Sequence, residues 1–131
     1  GTTRAHIVRA ALEGIAFEVY DVIRAMEHDA TRRSTEMKVD GGAVANNFLM
    51  QFQSDLTRGG VVRPKILETT AMGAAYLAGL AVGFWKDTEE IGRYAEVERR
   101  FEPEMPQSDA ERRIERWHEA VGRAGGWAKD D

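Results

Sequence analysis

Between Glu36 and Pro64 the chain spells out a strand, a glycine turn, a helix and a second strand, an order that few folds accommodate in so little sequence. Met37 and Val39 alternate with Glu36 and Lys38, the period of a half-buried strand, and the run stops at Asp40-Gly41-Gly42. Phe48, Leu49, Phe52 and Leu56 then recur at helical spacing, with Asn46 or Asn47 as the N-cap. Val61 and Val62, between Gly59-Gly60 and Pro64, form the second strand. Strands joined this way pair in parallel through a right-handed crossover, so the expected class is α/β, helix-rich around a short parallel βαβ unit.

The flanking sequence supplies helices. Val8, Leu12, Ile15, Val19, Val22, Ile23 and Met26 line one side of a segment from Thr3 to Ala30, with Arg4, Glu13, Glu18, Arg24 and Glu27 mostly opposite. Thr31 to Thr35 contains no apolar residue and reads as a polar loop. Past the second strand, Thr69 or Thr70 is expected to cap a third helix from about Ala71 to Val82. Its Ala71, Ala74, Ala75, Ala78 and Gly79 face carries almost no bulk and would let another backbone approach. Asp87 with Glu90 opens a short helix reaching about Tyr94, and Val97 to Phe101, stopped by Pro103, reads as extended despite Arg99-Arg100. Ser108 with Glu111 signals the start of a terminal helix lined by Ile114, Trp117 and Val121.

Composition bounds the function. A chain of 131 residues with 43% hydrophobic content fits one unit with one core. Its 18 Lys and Arg are scattered among 22 Asp and Glu for a net charge of −4, which leaves no basic footprint for nucleic acid. There is no cysteine, so thiolate metal sites and disulfides are excluded and the cytoplasm is the expected compartment. The uncharged stretch Ala71 to Trp85 falls short of the ~20 residues needed to span a bilayer, so no membrane role is expected. Gly1-Thr2-Thr3-Arg4 has no signal-peptide pattern and reads as the middle of something longer.

Chemistry concentrates in Val39-Asp40-Gly41-Gly42-Ala43-Val44-Ala45-Asn46-Asn47. A strand that ends in paired glycines and feeds a helix gathers free N–H groups and the positive helix end at one point, where anions bind. Glycine there lets a phosphate or sugar approach the backbone, and open α/β sheets hold ligands beyond the carboxyl ends of their strands. On spacing alone the ligand signal is weak, since a glycine pair after a strand is often only a tight turn, and both readings stand.

The run Lys38 to Asp55, KVDGGAVANNFLMQFQSD, closely resembles the adenosine-contacting motif of glycerol kinases, a branch of the FGGY carbohydrate kinases. Glu68 to Trp85, ETTAMGAAYLAGLAVGFW, is similar to the small-residue helix that follows that motif near the interdomain hinge. The resemblance is good from about His6 to Trp85 and looser beyond. It implies an actin-like, ribonuclease-H-like ATPase fold with MgATP held between two lobes, of which residues 1–131 form an incomplete C-terminal portion. Gly42 and Asn46 match the family's nucleotide-contacting glycine and asparagine, and Gly41 is the partner glycine of the turn. The first phosphate loop, the glycerol-binding Arg, Glu and Tyr and the catalytic Asp would lie in a preceding domain, so no catalytic or metal-binding residue is assigned here. The resemblance implies phosphoryl transfer from ATP to glycerol by the full-length protein, expected as a homo-oligomer. Another FGGY kinase acting on a different sugar or polyol, a non-catalytic actin-like nucleotide module, and a purely structural domain are the alternatives.

Several residues have plainer readings. Asp40 is expected to bond N–H groups of its own turn, and His118, between Glu115 and Glu119, to lie on a solvated charged face, with His6 and His28 similarly isolated. Phe84, Trp85 and Trp127 are expected to be core or capping aromatics, and Arg32-Arg33 and Arg112-Arg113 to be surface charge.

Overall fold

A computed structural model describes residues 1–94 and 96–126. Helix α1, Arg4–Ala30, starts where the Thr3 N–H donates to Nδ1 of His6 (3.0 Å) and ends at Thr31 in the left-handed region (φ 51°). The histidine at the helix start is therefore a capping partner. Strand β1, Glu36–Lys38, leads through a 3₁₀ turn, Gly42–Ala45, into α2, Asn47–Thr57. Strand β2, Gly60–Pro64, runs parallel to β1 with Met37 opposite Val61, as the βαβ pattern requires.

The sheet has one more strand than the parallel pair. Strand β3, Val97–Phe101, lies antiparallel on the other side of β2, giving a mixed sheet in the order β1-β2-β3. The dibasic pair does not oppose the strand, because each guanidinium finds a partner. Arg99 sits over the Phe101 ring (4.5 Å to its centroid), and Arg100 pairs with Glu36 and Glu102. Between β2 and β3 run α3, Thr69–Ala81, and the short α4, Thr88–Gly92; α5, Gln107–Ala124, closes the described chain.

Helix α2 is the centre of the core. Its Leu49, Met50, Phe52 and Leu56 are buried with Ala16 and Phe17 of α1, Val44 of the turn, Val61 of β2 and Phe101 of β3. Phe17 meets Phe52 edge-on (5.5 Å, 89°) and stacks on Trp117 of α5 (5.2 Å, 8°). Buried polar groups on α2 are all bonded, since unpaired ones would cost about 1–3 kcal/mol each. Ser54 Oγ lies within hydrogen-bond distance of the carbonyls of Gly59 (2.8 Å) and Phe101 (3.1 Å). The Asp55 carboxylate accepts the N–H groups of Glu104 (2.7 Å) and Met105 (3.0 Å), anchoring the segment that enters α5.

Several sequence expectations need correction. Helix α3 takes Glu68 as its N-cap residue, without a side-chain bond, because the Thr69 hydroxyl donates to Asp40 instead. Helix α5 begins after Pro106, whose carbonyl accepts from Asp109 (3.0 Å) and Ala110 (3.2 Å), so Ser108 lies inside the first turn. Ala71, Ala74, Ala75 and Ala78 are exposed within this chain, and only Gly79 of that face is buried, against Trp85. His118 is tethered rather than merely solvated: Asp21 of α1 holds Trp117 Nε1 and His118 Nε2, each at 2.8 Å. Trp85 is partly covered, Phe84 is 74% exposed, and Trp127 lies outside the described residues.

Candidate functional site

The segment Asp40 to Asn46 sits at the carboxyl end of β1, and four elements fix its shape. Val39 N–H donates to Val62 O (3.1 Å), carrying the parallel ladder one residue past β1. Gly41 then adopts φ 84°, a left-handed conformation open to glycine and strained for other residues. Its N–H donates to Leu67 O (3.0 Å), which ties the turn to the segment between β2 and α3. The Thr69 hydroxyl donates to Asp40, so the strand-end carboxylate holds the start of α3 and not, as the sequence suggested, its own turn.

The next two glycine-turn residues differ in kind. Gly42 has no heavy atom within 4 Å of the place a Cβ would occupy, and its φ lies outside the left-handed region. Nothing among the described residues requires glycine there; the space is open outward. Val44 is buried in the core (5% exposed), so the turn is pinned from below while Gly42 and Ala43 face solvent. Asn46 settles the capping alternative: its Oδ1 accepts from Leu49 N–H (3.1 Å), and Asn47 is the first residue of α2. With the oxygen engaged in the cap, the Asn46 amide nitrogen has no partner among the described residues and remains a donor at the start of α2.

Sequence reasoning missed Arg63. Its guanidinium, 9% exposed, donates from Nη1 to the Val44 carbonyl (2.7 Å) and from Nε to Glu98 (2.6 Å). The hydrogen bond from Arg63, against desolvation and with help from the Arg63 and Arg99 charges, holds the Glu98 carboxyl below its ordinary value. The available signal was an arginine inside Gly-Val-Val-Arg-Pro, a run otherwise fit only for a buried strand. A groove of about 560 Å³ lies between Pro64, Ile66, Thr69, Met72, Tyr76 and Tyr94, and its Thr69 is the residue that bonds Asp40. Among the described residues no three His, Asp or Glu side chains gather to hold a metal ion, and no helix is long and apolar enough to cross a membrane.

Solved structures define the class first. The chain superposes on a Plasmodium falciparum glycerol kinase crystallised with ADP at TM-score 0.82 and 32% identity, covering 94% of this chain and 26% of that one. A xylulose kinase from Lactobacillus acidophilus shares the fold at TM-score 0.73 and 23% identity, over 98% of this chain and 27% of that one. The helix-rich unit with its small mixed sheet is thus a piece of a carbohydrate-kinase C-terminal domain of the actin-like, ribonuclease-H-like class.

The family model described as "FGGY family of carbohydrate kinases, C-terminal domain" matches residues 1–82, and the chain belongs to that family. Glycerol kinase of Parabacteroides distasonis and glycerol kinase 2 of Thermotoga maritima are each 57% identical over 129 residues, 98% of this chain. The chain spans 26% of the length of each of these relatives.

Proposed function

We propose that this chain is the C-terminal portion of a glycerol kinase nucleotide-binding domain, which in the full-length protein transfers the γ-phosphoryl group of ATP to glycerol. Gly42 and Asn46 meet the nucleotide, with Gly41 setting the turn that presents them. Mg²⁺ bound with the nucleotide would neutralise charge developing on the phosphoryl oxygens, and the glycerol site and catalytic base belong to the domain that precedes this one. This chain's residues orient the donor: the turn offers a backbone wall without side chains, and Asn46 adds one amide donor. Glycerol is favoured over other polyols because the 57% identical relatives are named glycerol kinases, whereas the xylulose kinase shares 23%.

The observation that carries the reading is the open space at Gly42, a glycine that neither backbone conformation nor internal packing explains. A ligand that approaches the backbone explains it. Gly42→Val in the full-length enzyme is expected to raise KM for ATP at least about tenfold, equivalent to ~1.4 kcal/mol of lost binding. KM for glycerol should change less than about twofold by the same measure. A folded variant with unaltered ATP dependence would overturn the assignment.

A further inference from the structure

We infer that Arg63 is a positioning residue for the nucleotide turn, acting through the Val44 carbonyl and itself held by Glu98. The inference rests on the proposed nucleotide contact at Gly42 and Asn46. It starts from cost: a guanidinium in a central strand is unfavourable unless its donors are paired, and Val61 and Val62 show that apolar side chains suit the same strand. What Arg63 supplies that valine cannot is a pair of donors aimed at two other elements. Nη1 reaches Val44 in the turn at 2.7 Å, Nε reaches Glu98 in β3 at 2.6 Å, and the Phe101 ring lies 5.2 Å from the guanidinium carbon.

Val44 lies midway between the two ligand-facing residues, two positions after Gly42 and two before Asn46. Its side chain is buried in the core, its carbonyl, in the peptide plane that follows it, accepts from Arg63, and its N–H, in the plane before, donates to Gly41 O (3.3 Å), so both planes are restrained. A 3₁₀ turn of four residues has poor internal hydrogen-bond geometry and would not hold that orientation unaided. The planar fork makes arginine specific for the task, since a lysine carries its three donors on a single nitrogen and does not reproduce the spacing of Nη1 and Nε. Loss of Arg63 leaves a buried carbonyl unpaired and lets Gly42 and Asn46 drift from the nucleotide. The glycerol site and the reacting atoms, held by other residues, are not displaced.

The test uses the full-length enzyme with Arg63→Met, Arg63→Lys, Glu98→Gln and Gly42→Val, measuring kcat, both KM values and Tm. Arg63→Met is expected to raise KM for ATP by about fivefold to tenfold, with kcat at saturating ATP and KM for glycerol within about twofold of the parent. Arg63→Lys should recover part of the loss, and Glu98→Gln should shift KM for ATP in the same direction by a smaller factor. A lowered Tm with an unchanged ratio of the two KM values in Arg63→Met would overturn the inference, reducing Arg63 to a structural brace. Should Arg63→Met give no folded enzyme, Arg63→Lys and Glu98→Gln decide by the same ratio. Failure of Gly42→Val to raise KM for ATP would instead bring down the nucleotide reading; a rise in Gly42→Val alone would remove only the role of Arg63.

Discussion

The proposed reading gives Asn46 two jobs, one at each end of its amide, and substitution separates them. The oxygen caps α2 through Leu49 N–H, and loss of such a cap costs about 0.5–2 kcal/mol. Asn46→Asp keeps the oxygen and replaces the donor with a negative charge, so Tm should hold while KM for ATP rises; Asn46→Ala should lower Tm as well. Thermal melts paired with ATP titrations of the full-length enzyme read both effects, and unaltered ATP dependence in Asn46→Asp would leave Asn46 only a cap. Glu27 offers a pH-dependent residue far from the turn. Burial pushes its carboxyl up, but the Ser34 N–H at 2.7 Å and the Arg24 guanidinium outweigh this and hold it below the ordinary 4.5. A lowered folded pKa contributes stability above 4.5 that is lost as the pH falls through the folded value. Glu27→Gln should therefore show a smaller fall in urea midpoint between neutral pH and pH below 4.5 than the parent, and an equal fall would show that Glu27 carries none of the acid sensitivity.

Among the elements, α2 and β1 were legible from their period and α3, which has none, was not, while the period of α1 gave a helix but not the face this chain buries, which is Ala16 and Phe17. The apolar spacing in α2 and the alternation in β1 point inward unambiguously, and both elements lie where the pattern put them. Helix α3 is apolar on every side, with Met72, Tyr76, Leu77 and Leu80 spread among its alanines and glycines, so no face is marked by hydrophobicity, and the alanine face expected to be covered is exposed within this chain. The residue that decides how α3 sits is Gly79, where an added Cβ would lie 2.2 Å from the Trp85 ring. Gly79→Ala should destabilise the full-length protein by roughly 1–3 kcal/mol, the usual range for overpacking. The same change in a Trp85→Ala background should cost much less, because the colliding ring is gone; equal costs in both backgrounds would show that the ring is not the obstacle. The join between α1 and α5 was illegible for a different reason. Asp21 meets Trp117 and His118 across sequence separations of 96 and 97, and no local pattern announces a partner that distant. Arg63 and Thr69 were missed likewise, since their partners in the glycine turn are set by tertiary approach and not by spacing.

At the scale of the whole molecule, the long helix α1 presents apolar surface that the described chain does not cover. Ile7, Val8, Ile15, Val22 and Met26 are between 47% and 64% exposed, although their spacing is that of a buried stripe. Apolar surface of this extent marks an interface, and the relatives are close to four times as long as this chain. The 131 residues by themselves are therefore expected to associate as concentration rises, to bind ATP weakly, and not to phosphorylate glycerol. Phosphoryl transfer needs donor, acceptor and metal in line, and that alignment can be worth about 7–11 kcal/mol of the barrier. On the proposed reading, Gly41, Gly42 and Asn46 meet the donor from one side only, and the clamp on its β- and γ-phosphates belongs to the preceding domain. Size-exclusion chromatography at several concentrations reads the association, and incubation of the purified chain with MgATP and glycerol, assayed for glycerol 3-phosphate beside a full-length control, reads the activity. Elution independent of concentration would mean that the α1 stripe is not an interface, and turnover within about tenfold of the control, a barrier difference of only ~1.4 kcal/mol, would mean that this chain holds a catalytic base of its own.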